Sequence, residues 1–301
     1  MSSSSRGWQG PYVGIGLAWG CSFYFIKLSL GFLTPFGVAF TRCAFGLLTL
    51  LIVAALRRVA LPKARVVWLH LWIVALCINV IPGILFAVAE SRATSILAGI
   101  INALTPLTAL FFISIVFRDE PISRVQLVGL GVGLLGVLVV LGVWRGLGTN
   151  PWWAVGALLC SVTLYGVSFP YTRRYLTPRG LNPISLASGQ LLLSTLTLLP
   201  TFLIDGLNGY AITVRDAGGA ICLGVFGSGL AFMWNYRVIE AAGSSIASTV
   251  TYLTPVVAIV VGIALLHEQL TWFEPVGGLL VLLGAAIGQG RFARLVQTFR
   301  S

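Results

Sequence analysis

The sequence predicts an all-α membrane protein: ten transmembrane helices arranged as two inverted five-helix repeats, with both termini in the cytoplasm. Three observations predict it: the composition, the length of the apolar runs, and one stretch that occurs twice. Of 301 residues, 57% are apolar and 9% charged, with a mean hydropathy of +0.97. That leaves too little polar surface to cover a water-soluble globule. The apolar runs are about 20 residues long, each enough to cross a hydrocarbon core of roughly 30 Å as a helix. They place spans near 10–28, 35–56, 66–88, 94–117, 123–143, 152–173, 183–204, 217–238, 244–266 and 272–290.

The duplicated stretch is LTPLTALFFISIVFRDEPISRVQLVG from Leu104, which recurs as LTPVVAIVVGIALLHEQLTWFEPVG from Leu253, so Pro106 answers Pro255, Glu120 answers Glu268 and Gly129 answers Gly277. Upstream, ATSILAGIINALTP from Ala93 lies over AGSSIASTVTYLTP from Ala242, and WGCSFYFIK from Trp19 over YGVSFPYTR from Tyr165. Pro35 then matches Pro183, and Arg42 falls opposite Gln190. Several matches in order define a tail over 1–9, one repeat over 10–145, a second over 151–290, and a tail over 291–301. With five spans per repeat, the second half enters from the opposite side, placing Glu120 inside and Glu268 outside. Inverted repeats of this kind belong above all to transporters, with the substrate near the midplane where the halves meet.

Charge sets the orientation. With the amino terminus inside, the cytoplasmic side carries fourteen of the nineteen basic residues, and the other face has Lys27, Arg92, Arg145 and Arg215, with Arg42 inside a span. A net charge of +11 distributed in this way is a topology signal and not a nucleic-acid footprint. The first span is too long for a signal-peptide h-region and lacks an A-x-A-like site, so the amino terminus is expected to remain attached. Cys21, Cys43, Cys77, Cys160 and Cys222 each fall inside a span without metal-ligand spacing and are read as packing residues.

The WG-x-S-F-x-x-x-K first helix, the LTP helix closed by a glutamate loop, and the ten spans together resemble the EamA family of the drug/metabolite transporter superfamily, over both halves. Within it the chain is most similar to bacterial inner-membrane exporters of amino acids, particularly aromatic ones, some of which also pass cationic drugs. The second half departs from that pattern, with Tyr165 for the tryptophan, Arg173 for the lysine and Gln190 for the arginine, so the halves need not bind a substrate symmetrically. The resemblance implies a multi-pass protein of the bacterial inner membrane that exports a small amphipathic metabolite by alternating access. It implies no cofactor and no enzymatic activity.

Residues inside the spans suggest a cavity wall. Pro106 and Pro255 each remove a backbone hydrogen bond, which lipid tolerates only where protein or cavity water covers the break; kinks there are either structural or part of gating. Ser95, Gly99 and Asn102 on the fourth span, and Ser244, Ser248, Thr251 and Tyr252 on the ninth, recur at helical spacing as small polar faces. Such faces line a cavity or pack helices closely. Asn79 and Asn235 need a partner or water, and Trp19, Tyr165 and Trp234 offer flat apolar surfaces, with Ser168 beside them. With the resemblance, these faces assign the lining to spans one, three, four, six, eight and nine, and leave five and ten as scaffold. Arg42 is a candidate contact for a substrate carboxylate, with a structural pair or a snorkelling side chain as alternatives. Lys27 and Arg173 are read as helix-end anchors.

All eight acids fall at loops or span ends, so no carboxylate relay for protons is expected at mid-membrane. Gly131, Gly133 and Gly136 satisfy G-x-G-x-x-G but have no preceding strand, which favours helix packing over dinucleotide binding. His267-Glu268 and His70 lack the partners of a metal site. The expected partners are a small-molecule substrate and the lipid bilayer. An intramembrane enzyme is the rival class, and transport by pure protein in empty liposomes would exclude it.

Overall fold

The computed structural model describes residues 7–117, 124–140, 144, 151–269 and 271–288. Glu120, the repeat mate of Glu268, lies outside the described residues. The helices are α1 (Gln9–Ser29), α2 (Pro35–Arg57), α3 (Arg65–Ala75), α4 (Ile81–Glu90), α5 (Ser95–Asn102), α6 (Thr105–Phe112), α7 (Arg124–Val140), α8 (Trp152–Tyr175), α9 (Pro183–Asp205), α10 (Val214–Cys222), α11 (Ala231–Ala242), α12 (Ser244–Ser248), α13 (Thr254–Leu266) and α14 (Phe273–Gly288).

Several of them are helical stretches joined end to end. π-helical turns over Leu76–Val80 and Leu223–Leu230 join α3 to α4 and α10 to α11. Seven stretches are long and apolar enough to cross a membrane: Pro35–Arg57, Arg65–Glu90, Ser95–Phe117, Trp152–Arg179, Pro183–Asp205, Val214–Ala242 and Ser244–Leu266. α1, α7 and α14, at the first, fifth and tenth spans of the sequence, fall outside that set. Trp152–Arg179 and Val214–Ala242, at the sixth and eighth spans of the sequence, overrun the apolar runs, because the helix continues through polar residues such as Arg173, Arg174 and Arg237.

Helix starts follow local chemistry. Thr34 accepts from the Gly37 amide at 3.2 Å and Asn182 from the Ile184 amide at 2.9 Å, each satisfying an amide that the first turn leaves orphaned. Pro35 and Pro183 follow at the first helical position, where the missing N–H costs nothing.

The two Thr-Pro pairs break their helices. α5 ends at Asn102 and α6 restarts at Thr105; α12 passes through a 3-10 turn over Thr249–Tyr252 before α13 restarts at Thr254. A proline cannot donate to the carbonyl four residues back, which here means Asn102 for Pro106 and Thr251 for Pro255. The threonine hydroxyl before each proline takes that carbonyl instead. Thr105 Oγ1 donates to Asn102 O at 2.8 Å and Thr254 Oγ1 to Thr251 O at 2.7 Å. The expected kinks are therefore full breaks, with the exposed carbonyls satisfied by side chains.

The halves interlock. α1 packs on α10, α11 and α13 of the second half, α8 packs on α4 and α6 of the first, and α2 runs along α9. α7 and α14 pack chiefly on each other, at backbone distance. A Cβ at Gly284 would lie 2.3 Å from Gly133 N, and one at Gly136 would lie 2.6 Å from Val281 N. Gly133 and Gly136 of the G-x-G-x-x-G pattern are thus helix-packing residues, whereas a Cβ at Gly131 would meet nothing within 4 Å. The exposed apolar side chains, Leu56, Val128, Leu134 and Ile204 among them, form the outer surface expected of a chain that meets lipid. Cys43 is buried, whereas Cys160 is exposed on α8.

Candidate functional site

Between the halves lies a small cavity. Its wall is aromatic, with Trp19 and Phe23 from α1, Phe86 from α4, Tyr165 and Phe169 from α8, and Phe232 from α11. The Phe86 and Tyr165 rings stack 5.7 Å apart, and Trp19 meets Phe232 edge-on at 6.0 Å. The indole N–H of Trp19 donates to Gly227 O at 3.1 Å, which fixes the ring and leaves its face to the cavity. Phe23 and Phe169 occupy the Ser-Phe position of the duplicated first-helix motif, as Trp19 and Tyr165 occupy its start. One motif, used twice, thus supplies both sides of the wall.

The polar contribution comes from Ser22, Arg42 and Asn102. Arg42, 5% exposed, donates from Nε to Ser228 Oγ at 3.2 Å, which orients the guanidinium and leaves its Nη groups for the cavity. Ser228 lies in the π-helical turn of the eighth span. At the mirrored place, Gln190 donates from Nε2 to Asn79 Oδ1, and Tyr236 donates to Gln190 Oε1 at 2.6 Å. Asn79 lies in the π-helical turn of the third span. Asn102 Nδ2 donates to Thr254 Oγ1 at 3.2 Å, so the two helix breaks are bonded to each other.

Of the side chains singled out in the sequence, Trp19, Arg42, Asn102 and Tyr165 stand on this wall. Asn79 belongs to the buried glutamine network, and Gly99 packs on α13, where a Cβ would lie 2.5 Å from that of Ala258. Ser168 Oγ bonds Tyr165 O, Ser248 Oγ bonds Ser245 O and Thr251 Oγ1 bonds Ser248 O. Trp234 packs on Gly14 of α1, Asn235 is buried in α11, and Ser244 begins α12. Tyr252 is half-buried in the 3-10 turn, while Pro106 and Pro255 lie at the restarts of α6 and α13. The wall residues absent from that set, Phe86, Phe232, Ile26 and Ile78, carry no polar signal that separates a cavity from lipid. Phe23 and Phe169 could have been found from the repeat.

Contacts at the helix ends also join the halves. His267, in the left-handed conformation with φ of 53°, ends α13 and turns the chain back. The Glu268 carboxylate then accepts from Ser95 N at 2.9 Å, Ser95 Oγ at 2.8 Å and Ile96 N at 3.1 Å. It caps the first turn of α5 from the other half of the molecule. Lys27 Nζ donates to Glu90 O and Ala93 O, each at 2.6 Å, and Arg173 Nη1 donates to Ile239 O at 2.9 Å. Both basic residues hold neighbouring helix ends, as expected of anchors. Glu90, by contrast, is a span-end acid that does not face water. It is 0% exposed, and among the described residues neither of its carboxylate oxygens has a hydrogen-bond partner. Its position at the last residue of α4 gives no sign of this burial.

The sequence profile described as the EamA-like transporter family matches residues 12–142 and again 152–287. An uncharacterized transporter of Archaeoglobus fulgidus is 27% identical over 276 residues, covering 89% of this chain and 94% of that protein. The uncharacterized inner membrane transporter YedA of Escherichia coli is 25% identical over 285 residues, covering 94% and 91%. Protein PecM of Dickeya dadantii is 25% identical over 230 residues, 76% of each chain. A protein of known crystal structure aligns over 98% of this chain and 99% of its own with a TM-score of 0.73 at 18% identity, a likeness of fold. The helical stretches long enough to span a bilayer, the cavity between two interlocked halves and the profile matching twice lead to one assignment: this multi-pass chain belongs to the EamA-like transporter family.

Proposed function

We propose that this transporter exports small amphipathic metabolites across the bacterial inner membrane, with aromatic amino acids the leading substrates. The observation that carries the reading is the buried Arg42 guanidinium, held through Nε by Ser228 and set beside an aromatic wall. Guanidinium takes a carboxylate bidentately, while Phe86, Tyr165 and Phe232 suit a planar apolar side chain. The remaining nominees, Asn79, Ser95, Gly99, Ser168, Trp234, Asn235, Ser244, Ser248, Thr251 and Tyr252, act as a supporting shell or as lining in another conformation, with Pro106 and Pro255 at the pivots.

Ten spans in two inverted repeats, termini inside, form the frame of this reading. The mirrored bonds of Arg42 to Ser228 and Gln190 to Asn79, and of Lys27 and Arg173 to neighbouring helix ends, support it. In this frame the Glu268 contact lies outside and closes the cavity there.

The chain works as a facilitator or exchanger in which the halves rock about the solute. Glu90 favours a second reading, since a buried acid without a protein partner is a group that a cation-coupled carrier could load. The test uses purified protein in proteoliposomes with labelled amino acids and organic cations. Phenylalanine or tryptophan should cross and compete with each other. A pH gradient imposed on equal phenylalanine on both sides should give no accumulation. Accumulation lost in Glu90→Gln establishes the coupled reading, and passage of cations alone overturns the amino-acid assignment.

A further inference from the structure

A second cleft, open to solvent, lies at the ends of α2, α9 and α11. Two arginines line it, Arg57 in the last turn of α2 and Arg237 on α11, with Asn182 and Pro183 at the start of α9. Both arginines are exposed, and among the described residues neither has a hydrogen bond or ion pair to protein. Five other basic side chains are differently placed: Lys27, Arg42, Arg173, Arg179 and Arg215 each donate to a protein oxygen. Among the described residues no carboxylate lines this cleft. The first turn of the 23-residue helix α9 adds the positive end of its dipole to the same place.

The apolar part of the wall distinguishes among anions. Val53 stands four residues before Arg57, and Met233 four residues before Arg237, so each helix presents a guanidinium with an apolar side chain one turn deeper on the same face. Ile184 adds to that floor. A free phosphate would use the arginines only, whereas a phospholipid places its phosphate on them and its acyl chain along Val53 and Met233. The basic residues assign this face to the cytoplasm, the side to which anionic lipid attracts basic clusters.

We infer that the cleft between the cytoplasmic ends of α2, α9 and α11 is a binding site for an anionic phospholipid, with Arg57 and Arg237 sharing its phosphate. The orientation rests on the inside-out count of basic residues; the site itself does not depend on the transported solute.

The experiment measures lipid retained by the purified, detergent-solubilised protein, by native mass spectrometry, after incubation with phosphatidylglycerol, phosphatidylcholine or inorganic phosphate. Wild type should retain phosphatidylglycerol in preference to phosphatidylcholine. Each basic side chain at an anionic surface contributes roughly a factor of five, so Arg57→Gln with Arg237→Gln should bind phosphatidylglycerol about 25-fold more weakly. Arg92→Gln, a basic exposed residue outside the cleft, should bind it as wild type does. Both variants change exposed side chains, and unchanged elution on size exclusion shows that they fold. Equal retention of the two lipids, or of phosphatidylglycerol by the double variant, overturns the site. Inorganic phosphate displacing phosphatidylglycerol at equal concentration overturns the lipid assignment, because the apolar floor would then contribute nothing.

Discussion

Arg42 and Gln190 stand at the same place in the two halves and form opposite kinds of site. Each reaches across to the π-helical turn of a span in the other half, Arg42 to Ser228 and Gln190 to Asn79. Gln190 is used up there, since its amide N–H goes to Asn79 and its oxygen accepts from Tyr236. The result is a neutral buried network in which, among the described residues, only the Asn79 amide nitrogen is left without a partner. Arg42 spends one donor on Ser228 and keeps the planar end of its guanidinium at the cavity wall. A duplicated scaffold thus carries a binding group on one side and a structural one on the other. The equivalence of the backbones does not extend to the chemistry.

The largest expected effect tests the mirrored relation itself. Single cysteines at Ser3 and Thr298 should react with an impermeant maleimide only from the cytoplasm, and one at Thr271 only from outside. Labelling of Ser3 and Thr271 from one face would remove the inversion on which the comparison depends.

Next comes the asymmetry. A hydrogen bond to a buried charged group contributes about 1.5–3 kcal/mol, so Arg42→Gln should raise the half-saturation for phenylalanine about ten- to hundredfold while leaving thermal stability in detergent close to wild type. Gln190→Leu should do the reverse. Leaving Asn79 and Tyr236 without their partner costs about 1–3 kcal/mol, read as a lower melting temperature, with substrate affinity little changed. If both variants affect affinity equally, the two sites are functionally alike.

A smaller effect is expected at Glu268. Removing a helix cap costs about 0.5–2 kcal/mol, and Glu268→Ala should speed maleimide labelling of a cysteine at Ile96 from outside by roughly two- to thirtyfold on that basis. No change in labelling would mean that the cap does not hold the cavity closed. The smallest effect belongs to the helix breaks. Thr105→Val leaves the Asn102 carbonyl without its hydroxyl donor at a cost of about 1 kcal/mol, which should appear as a small loss of stability.

The all-helical, membrane-spanning character could be read from the sequence because lipid imposes it. Long apolar runs follow from bilayer thickness, and helix from the requirement to satisfy backbone groups. The cavity was only partly legible. Trp19 and Tyr165 could be read because the repeat marks them, and Asn102 because an amide inside a span needs a partner. Phe86 and Phe232 could not, since a phenylalanine facing a cavity and one facing lipid have the same composition signal. Glu90 illustrates the opposite difficulty. Its place at the end of α4 puts it among the span-end acids, yet it is fully buried, with Lys27 donating to its backbone carbonyl.

Thr254 Oγ1 donates to Thr251 O and accepts from Asn102 Nδ2, so a single oxygen belongs to both helix breaks. A proline joint bridged by a hydroxyl can pivot as that hydroxyl rotates, with its carbonyl never left bare to hydrocarbon. Two such joints sharing one atom are coupled, because tilting either changes the direction in which Thr254 must point. The arrangement acts as a linkage: bending at one break is passed to the other through the Asn102–Thr254 hydrogen bond.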